Sequence, residues 1–385
     1  MDRSMRIGFY HESAGTRHAG GVAVYTRRLA VELADRHEVT LYTRGGESPS
    51  SLADAGVRLV RTPRFGGRRD DVLRRLTPLD GQSVAKLRMA LWGVRNGLFE
   101  AIDRDQDLLV TFQYLDDLLV SNLVSVPTLF GYHGLASVGL GTHLRERLSR
   151  TDHVVVNSAD TARRLRAQFG YDVDGVVYPG VDTDRFHPGV EPAADADRPT
   201  VLFVGRLVPE KGVFDLLEAV AALDRPLQAR FVGAGALEAV SERARELGIA
   251  DEVVLRGELA HAELPAEYAA ADVFCLPSHG ESFGMVNVEA MACGTPVVTS
   301  RLPATEAYAT DGESAMLVPP GRPDALAATL ETVLDSPVLR ERLGERGREV
   351  ALQFSWERVA DRFEEVCVSV LADAEPADAR RSART

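Results

Sequence analysis

The sequence predicts an α/β protein made of two doubly wound domains around a hinge. Short apolar runs alternate with amphipathic helical stretches along the chain, the pattern of parallel sheets covered by helices. The alternation occurs twice, and a polar stretch rich in Pro, Gly and Asp, PGVDTDRFHPGVEPAADADRP, separates the two series. A length of 385 residues is enough for two or three domains of ordinary size.

In the first series the predicted strands are 6–11, 38–43, 57–61, 107–112, 127–132, 153–158 and 175–179, each a run that can be buried on both faces. Helical spacing predicts helices at 22–36, 82–103, 139–151 and 159–169. The second series predicts strands at 200–205, 228–233, 252–257, 272–278, 295–300 and 315–319, with helices at 322–335, 337–352 and 355–372 closing the chain. The domains are placed at 1–187 and 188–354. Helix 355–372 is expected to cross back to the first domain, and 373–385 has too little to bury to be ordered. Ligands of such sheets bind beyond the carboxyl ends of the strands, so the functional cleft is expected between the domains.

Composition narrows the function. A net charge of −13 argues against nucleic acid as a partner. Three cysteines, Cys275, Cys293 and Cys367, are far apart and form no CxxC pair, which argues against a disulfide framework or zinc site. The opening MDRSMRIGFYHES leads straight into a strand, and the most apolar run, 118–131, is broken by Pro127; a cytosolic protein is expected, at most resting on a membrane. No GxGxxG joins the first strand to its helix. The near match Gly233-Ala-Gly235-Ala-Leu-Glu238 has glutamate in place of the third glycine.

Several residues stand out. Gly20-Gly21 open the first helix, where backbone can approach an anion; a flexible loop before an ordinary helix start reads equally well. Arg206 leaves the first strand of the second domain, and Lys211 follows five residues on. Two cations at a strand end suit a diphosphate, or they form a solvated pair. Lysine is rare here: the chain has only Lys86 and Lys211, all its other basic residues being arginines. In HGESFGMVNVEAMACGTPVV, Glu281 follows a strand end, and Phe283, Gly284, Met285 and Val286 form a first helical turn with free amides. Glu289 lies on that nearly all-apolar helix, away from bulk water. Such a charge needs a partner, either two hydroxyls of a ribose or an arginine of the core.

Together, the glutamate pair in ESFGMVNVEAMACGTPVV, Gly20-Gly21, the Gly205-Arg206-Leu207 and Lys211-Gly212 run, VVYPGVDTDRFHP and LVPPGRPDALA resemble the retaining glycosyltransferases of the GT-B fold, family four (group 1). The resemblance implies two Rossmann-like domains, a nucleoside-diphosphate sugar donor linked to UDP or GDP, and a hexosyl unit moved to an acceptor hydroxyl with retention. It implies that Gly20 and Gly21 face the diphosphate and that Arg206 and Lys211 hold it. Backbone groups at Arg256 would meet the base and Glu289 the ribose. Glu281 and the amides of Phe283, Gly284 and Met285 would hold the transferred sugar, with His133 beside it. No cofactor is implied. No acidic pair has a matching ligand set for a divalent ion, Asp70-Asp71 and Asp116-Asp117 included. No glutamate nucleophile is evident, which favours same-face attack with a donor phosphate oxygen taking the acceptor proton.

The acceptor is expected to be a glycan or lipid-linked sugar chosen by the first domain. Seven arginines against two aspartates between Arg58 and Arg75 give a local charge of +5. That region suits an anionic membrane surface, a phosphorylated acceptor, or plain solvation. The rival readings are a non-hydrolysing nucleotide-sugar epimerase, a dinucleotide oxidoreductase and a non-catalytic sugar-binding protein.

Overall fold

The computed structural model describes residues 4–16, 21–63, 81–133, 151, 153–193 and 197–374. The chain forms two units, one of Met1–Tyr178 with Trp356–Thr385 and one of Pro179–Ser355.

The first unit holds seven parallel strands: β1 (Arg6–Tyr10), β2 (Glu38–Arg44), β3 (Arg58–Thr62), β4 (Leu108–Thr111), β5 (Thr128–Tyr132), β6 (His153–Val156) and β7 (Gly175–Val176). They stand in the order β3-β2-β1-β4-β5-β6-β7, so the winding reverses between β1 and β4. Strand alternation sorts the core. Ile7, Phe9, Leu41 and Val110 face helix Gly21–Ala34 and helix Trp356–Asp373, while Tyr10, Tyr42 and Leu109 face Met89, Phe99 and Ile102. Helix Trp356–Asp373 is thus part of the first unit's core. Its Phe363 ring lies 6.1 Å from Phe9, and Arg36 bonds its Asp361 at 2.7 Å.

The expected helix 82–103 is two helices, Gly81–Arg95 and Leu98–Asp105. Gly97 adopts φ 68° between them, a left-handed conformation that glycine takes without strain and that ends the first helix. Short helices at Ser50–Asp54 and Tyr114–Val120 are additional to those the periodicity predicts. The expected helix 139–151 lies almost wholly outside the described residues, as do positions 375–385 of the tail.

The second unit holds β8 (Thr200–Val204), β9 (Gln228–Val232), β10 (Val253–Gly257), β11 (Val273–Leu276), β12 (Val297–Ser300) and β13 (Met316–Val318), all parallel, in the order β10-β9-β8-β11-β12-β13. Here the reversal falls between β8 and β11. Segment 179–187, grouped by sequence with the first domain, is anchored in this unit. Val181 N–H donates to the Phe354 carbonyl at 2.8 Å, and Phe186 is fully buried 6.0 Å from the Tyr268 ring.

Candidate active site

The loops that leave β8 and β11 flank the switch point of the second sheet, where open α/β sheets gather their ligands. After β8 the chain passes exposed Arg206, makes a short 3₁₀ turn at Pro209–Lys211 and enters helix Val213–Ala221. Gly212 between them has φ 70°, and a Cβ there would lie 2.0 Å from the Pro277 carbonyl oxygen. Only glycine lets the two loops pack this closely. The His279 N–H donates to the Glu210 carbonyl at 2.9 Å and fixes them together.

This packing brings Lys211 and Glu281 into contact. Lys211 Nζ donates to Glu281 Oε1 at 2.5 Å, and Ser278 Oγ donates to the same oxygen at 2.8 Å. The Glu281 side chain is 8% exposed and that of Lys211 22%. Arg206 has no ion-pair partner among the described residues, so its charge is available to an anion. Helix Met285–Ala292 starts just beyond, after Gly284. The Phe283 ring is buried against Tyr308 and Phe354, so this residue can offer a ligand its main chain only. Met285 and Val286, half-buried, form the first turn, whose amides have no earlier helical carbonyl to bond.

Glu289 is 5% exposed. Among the described residues its partners are not arginines: His261 Nε2 lies 2.8 Å from Oε1, and the Tyr268 hydroxyl donates to Oε2 at 3.1 Å. Burial, reinforced by the Glu289 charge, pushes the Tyr268 hydroxyl well above its ordinary pKa, which keeps it a donor. Sequence reasoning missed both partners, which stand 28 and 21 residues before Glu289. The Arg256 side chain is committed elsewhere: its Nε donates to buried Glu267 at 3.0 Å, and Arg230 donates to the same carboxylate at 3.0 Å. Arg256 can therefore offer its main chain, the part assigned to the base.

In the first unit His133 directly follows β5, its ring 4.3 Å from that of Tyr25 and 5.0 Å from that of Phe112. Burial among these rings pushes its pKa down to about 4, so the imidazole is neutral near pH 7. It lines a cavity of about 360 Å³ with Ser83, Lys86, Gln113 and Tyr114, a group that sequence reasoning did not assemble. Lys86 stood out only for its rarity. Behind the cavity Gln113 Nε2 lies 2.9 Å from His11 Nε2. Among the described residues, neither of the buried Asp116 carboxylate oxygens has a hydrogen-bond partner. Burial raises the Asp116 pKa to about 7, opposed by the positive charge of Lys86.

Gly21 opens the first helix with free space at its Cβ position; Gly20 lies outside the described residues. Of the arginines between Arg58 and Arg75, Arg58 lies 3.9 Å from Asp105 and Arg61 bonds Ser48 at 2.9 Å, while the other five are outside the described residues. Among the described residues no helix is long and apolar enough to cross a membrane, and no three His, Cys, Asp or Glu converge as a metal-ligating group.

Comparison with known proteins agrees with the fold of two parallel sheets. The family model described as Glycosyl transferases group 1 matches residues 190–350, and that described as Glycosyltransferase Family 4 matches residues 19–185. The D-inositol 3-phosphate glycosyltransferase of Saccharomonospora viridis is 32% identical over 406 residues, covering 94% of this chain and 92% of that protein. Its namesake from Corynebacterium glutamicum is 29% identical over 404 residues, covering 94% of each. Among solved structures, Anabaena HepE in complex with UDP is similar in fold, with a TM-score of 0.74 at 20% identity over 95% of this chain and 100% of that one; its complex with UDP-glucose gives 0.71. Both halves matched by family models, and a relative similar along nearly its whole length, place this chain in family four of the glycosyltransferases, group 1, with the two-domain GT-B fold.

Proposed function

We propose that this glycosyltransferase moves a hexosyl unit from a nucleoside-diphosphate sugar to an acceptor hydroxyl, keeping the anomeric configuration. One observation carries the reading. At the switch point of the second sheet, the uncommitted charge of Arg206 stands on the same loop as Lys211, which pairs with Glu281 of the neighbouring loop, beside a helix that carries a near-buried carboxylate. Arg206 and Lys211 would take the negative charge that grows on the departing diphosphate. Glu281 and the amides of Phe283, Gly284, Met285 and Val286 would hold the sugar. Glu289 would accept hydrogen bonds from the ribose, and main-chain groups at Arg256 would meet the base. The bond from the acceptor oxygen to C1 forms on the face from which the C1–diphosphate bond breaks. The acceptor proton passes to a diphosphate oxygen.

For the donor, UDP is favoured over GDP by the structural neighbour solved with UDP and with UDP-glucose. For the acceptor, the first unit's cavity offers an ammonium at Lys86 and a neutral imidazole at His133, a combination suited to a polyol that carries a phosphate. The names of the relatives, D-inositol 3-phosphate glycosyltransferases, point the same way. This reading is preferred here to a lipid-linked acceptor. The test is turnover of UDP-glucose, UDP-N-acetylglucosamine and GDP-mannose with D-inositol 3-phosphate, followed by the proton NMR coupling of the new anomeric centre. An α-linked product from an α-linked donor is expected. A β-linked product contradicts retention, and nucleotide binding with no transfer to this or any lipid-linked acceptor points to a non-catalytic binder.

A further inference from the structure

The Glu289 carboxylate is approached from two sides, and the two are unlike. Tyr268, fully buried, bonds Oε2 from the core. His261 bonds Oε1 from the outside: its side chain is 56% exposed, and its ring lies 5.1 Å from that of buried Phe186. The Phe186 carbonyl accepts from Arg348 at 2.8 Å, so the surface beneath His261 is anchored. A ligand coming from solvent to Glu289 therefore meets His261 before it meets the carboxylate.

From this geometry we infer that His261 is a further donor-site residue: it occupies Glu289 Oε1 in the free protein and yields that oxygen to a ribose hydroxyl. The inference rests on the assignment of Glu289 to the ribose. A near-buried carboxylate left bare is costly, and an exposed imidazole satisfies it at little structural expense. A diol supplies two O–H donors to the same group, and the displaced imidazole regains water. Tyr268 holds the inner oxygen throughout, so the carboxylate keeps its orientation while its outer partner changes. His261 thereby sets how much of the ribose contact appears as affinity, because each nucleotide must first break the His261–Glu289 bond.

The test is calorimetric titration of wild type, His261→Ala and His261→Phe with UDP and with 2′,3′-dideoxy-UDP, repeated with the guanosine pair. His261→Phe keeps a ring against Phe186 and removes the hydrogen bond, which guards against a loss caused by packing alone. Both variants should bind the full nucleotide at least about fivefold more tightly than wild type. Neither should gain for the dideoxy compound, which has no diol to use the freed oxygen. Unchanged or weaker binding of the full nucleotide by both variants, or an equal gain for the dideoxy compound, overturns the inference. Glu289→Ala separates the underlying assignment. If it binds UDP and GDP as wild type does, or if wild type binds neither, the ribose reading fails and this inference with it. If Glu289→Ala weakens binding while the His261 variants show no diol-dependent gain, only the role of His261 fails.

Discussion

Single residues carry the chemistry, and their environments separate the charged groups from the neutral ones. Lys211 and Glu281 form a tight, partly buried pair, so removing one partner leaves the other desolvated. Lys211→Met is expected to lower kcat by about 10²–10³ and also to lower the melting temperature. Adding Glu281→Gln should recover much of the stability and none of the turnover, which a double-mutant cycle reads directly. His133 makes a different prediction. Its folded pKa of about 4 lies below the ordinary value of 6.5, so the stability it contributes is full above pH 6.5 and is lost as pH falls towards 4. Between those limits the slope is up to about 1.4 kcal/mol per pH unit. Urea unfolding of His133→Phe against wild type at pH 7, 5.5 and 4.5 should show the variant losing less on acidification; parallel losses would contradict the assigned burial. At this scale the sequence made legible that Glu281 follows a strand end and that Glu289 is buried on a nearly apolar helix. The partners of Glu289 were not legible, because no local pattern says that a loop 28 residues away folds over a given carboxylate.

Elements place those residues. The strands could be read from sequence because parallel strands are buried on both faces and so appear as unbroken apolar runs such as TVLFV and VFCL. Helix ends were harder: the amphipathic pattern of 82–103 continues through Asn96-Gly97, where one left-handed glycine ends the helix. The cavity beside His133 was hidden for a similar reason, since Lys86 and Gln113 sit on separate elements that meet only when helix Gly81–Arg95 packs on the sheet. Gly212 joins the loop after β8 to the loop after β11. Gly212→Ala combines a strained φ with a clash against the Pro277 carbonyl and should cost about 2–3 kcal/mol. Thermal unfolding checks the cost, and turnover should fall with it; a variant as stable as wild type would show that the loops have room to separate. Phe363 belongs to helix Trp356–Asp373 yet lies fully buried in the first unit's core. Phe363→Ala should destabilise that unit by about 3–5 kcal/mol in urea unfolding.

On the scale of the whole molecule, two parallel sheets of seven and six strands, each reversing its winding once, build the two units; the proposed roles are acceptor side for the first and donor side for the second. The alternation of strands and helices in the sequence made that class legible, while the exact division of the chain was less so. The hinge stretch carries Phe186, whose burial draws segment 179–187 into the second unit. The second unit is proposed to hold a nucleoside diphosphate, through Glu289 at one end and Arg206 with Lys211 at the other. The most direct test is calorimetric titration of UDP, GDP and NAD into wild type and Glu289→Ala. One nucleoside diphosphate is expected to bind wild type, and Glu289→Ala to weaken it by about tenfold or more, as follows from losing hydrogen bonds to a charged group. Equal binding by the variant, or binding of NAD with neither diphosphate, would contradict the proposal.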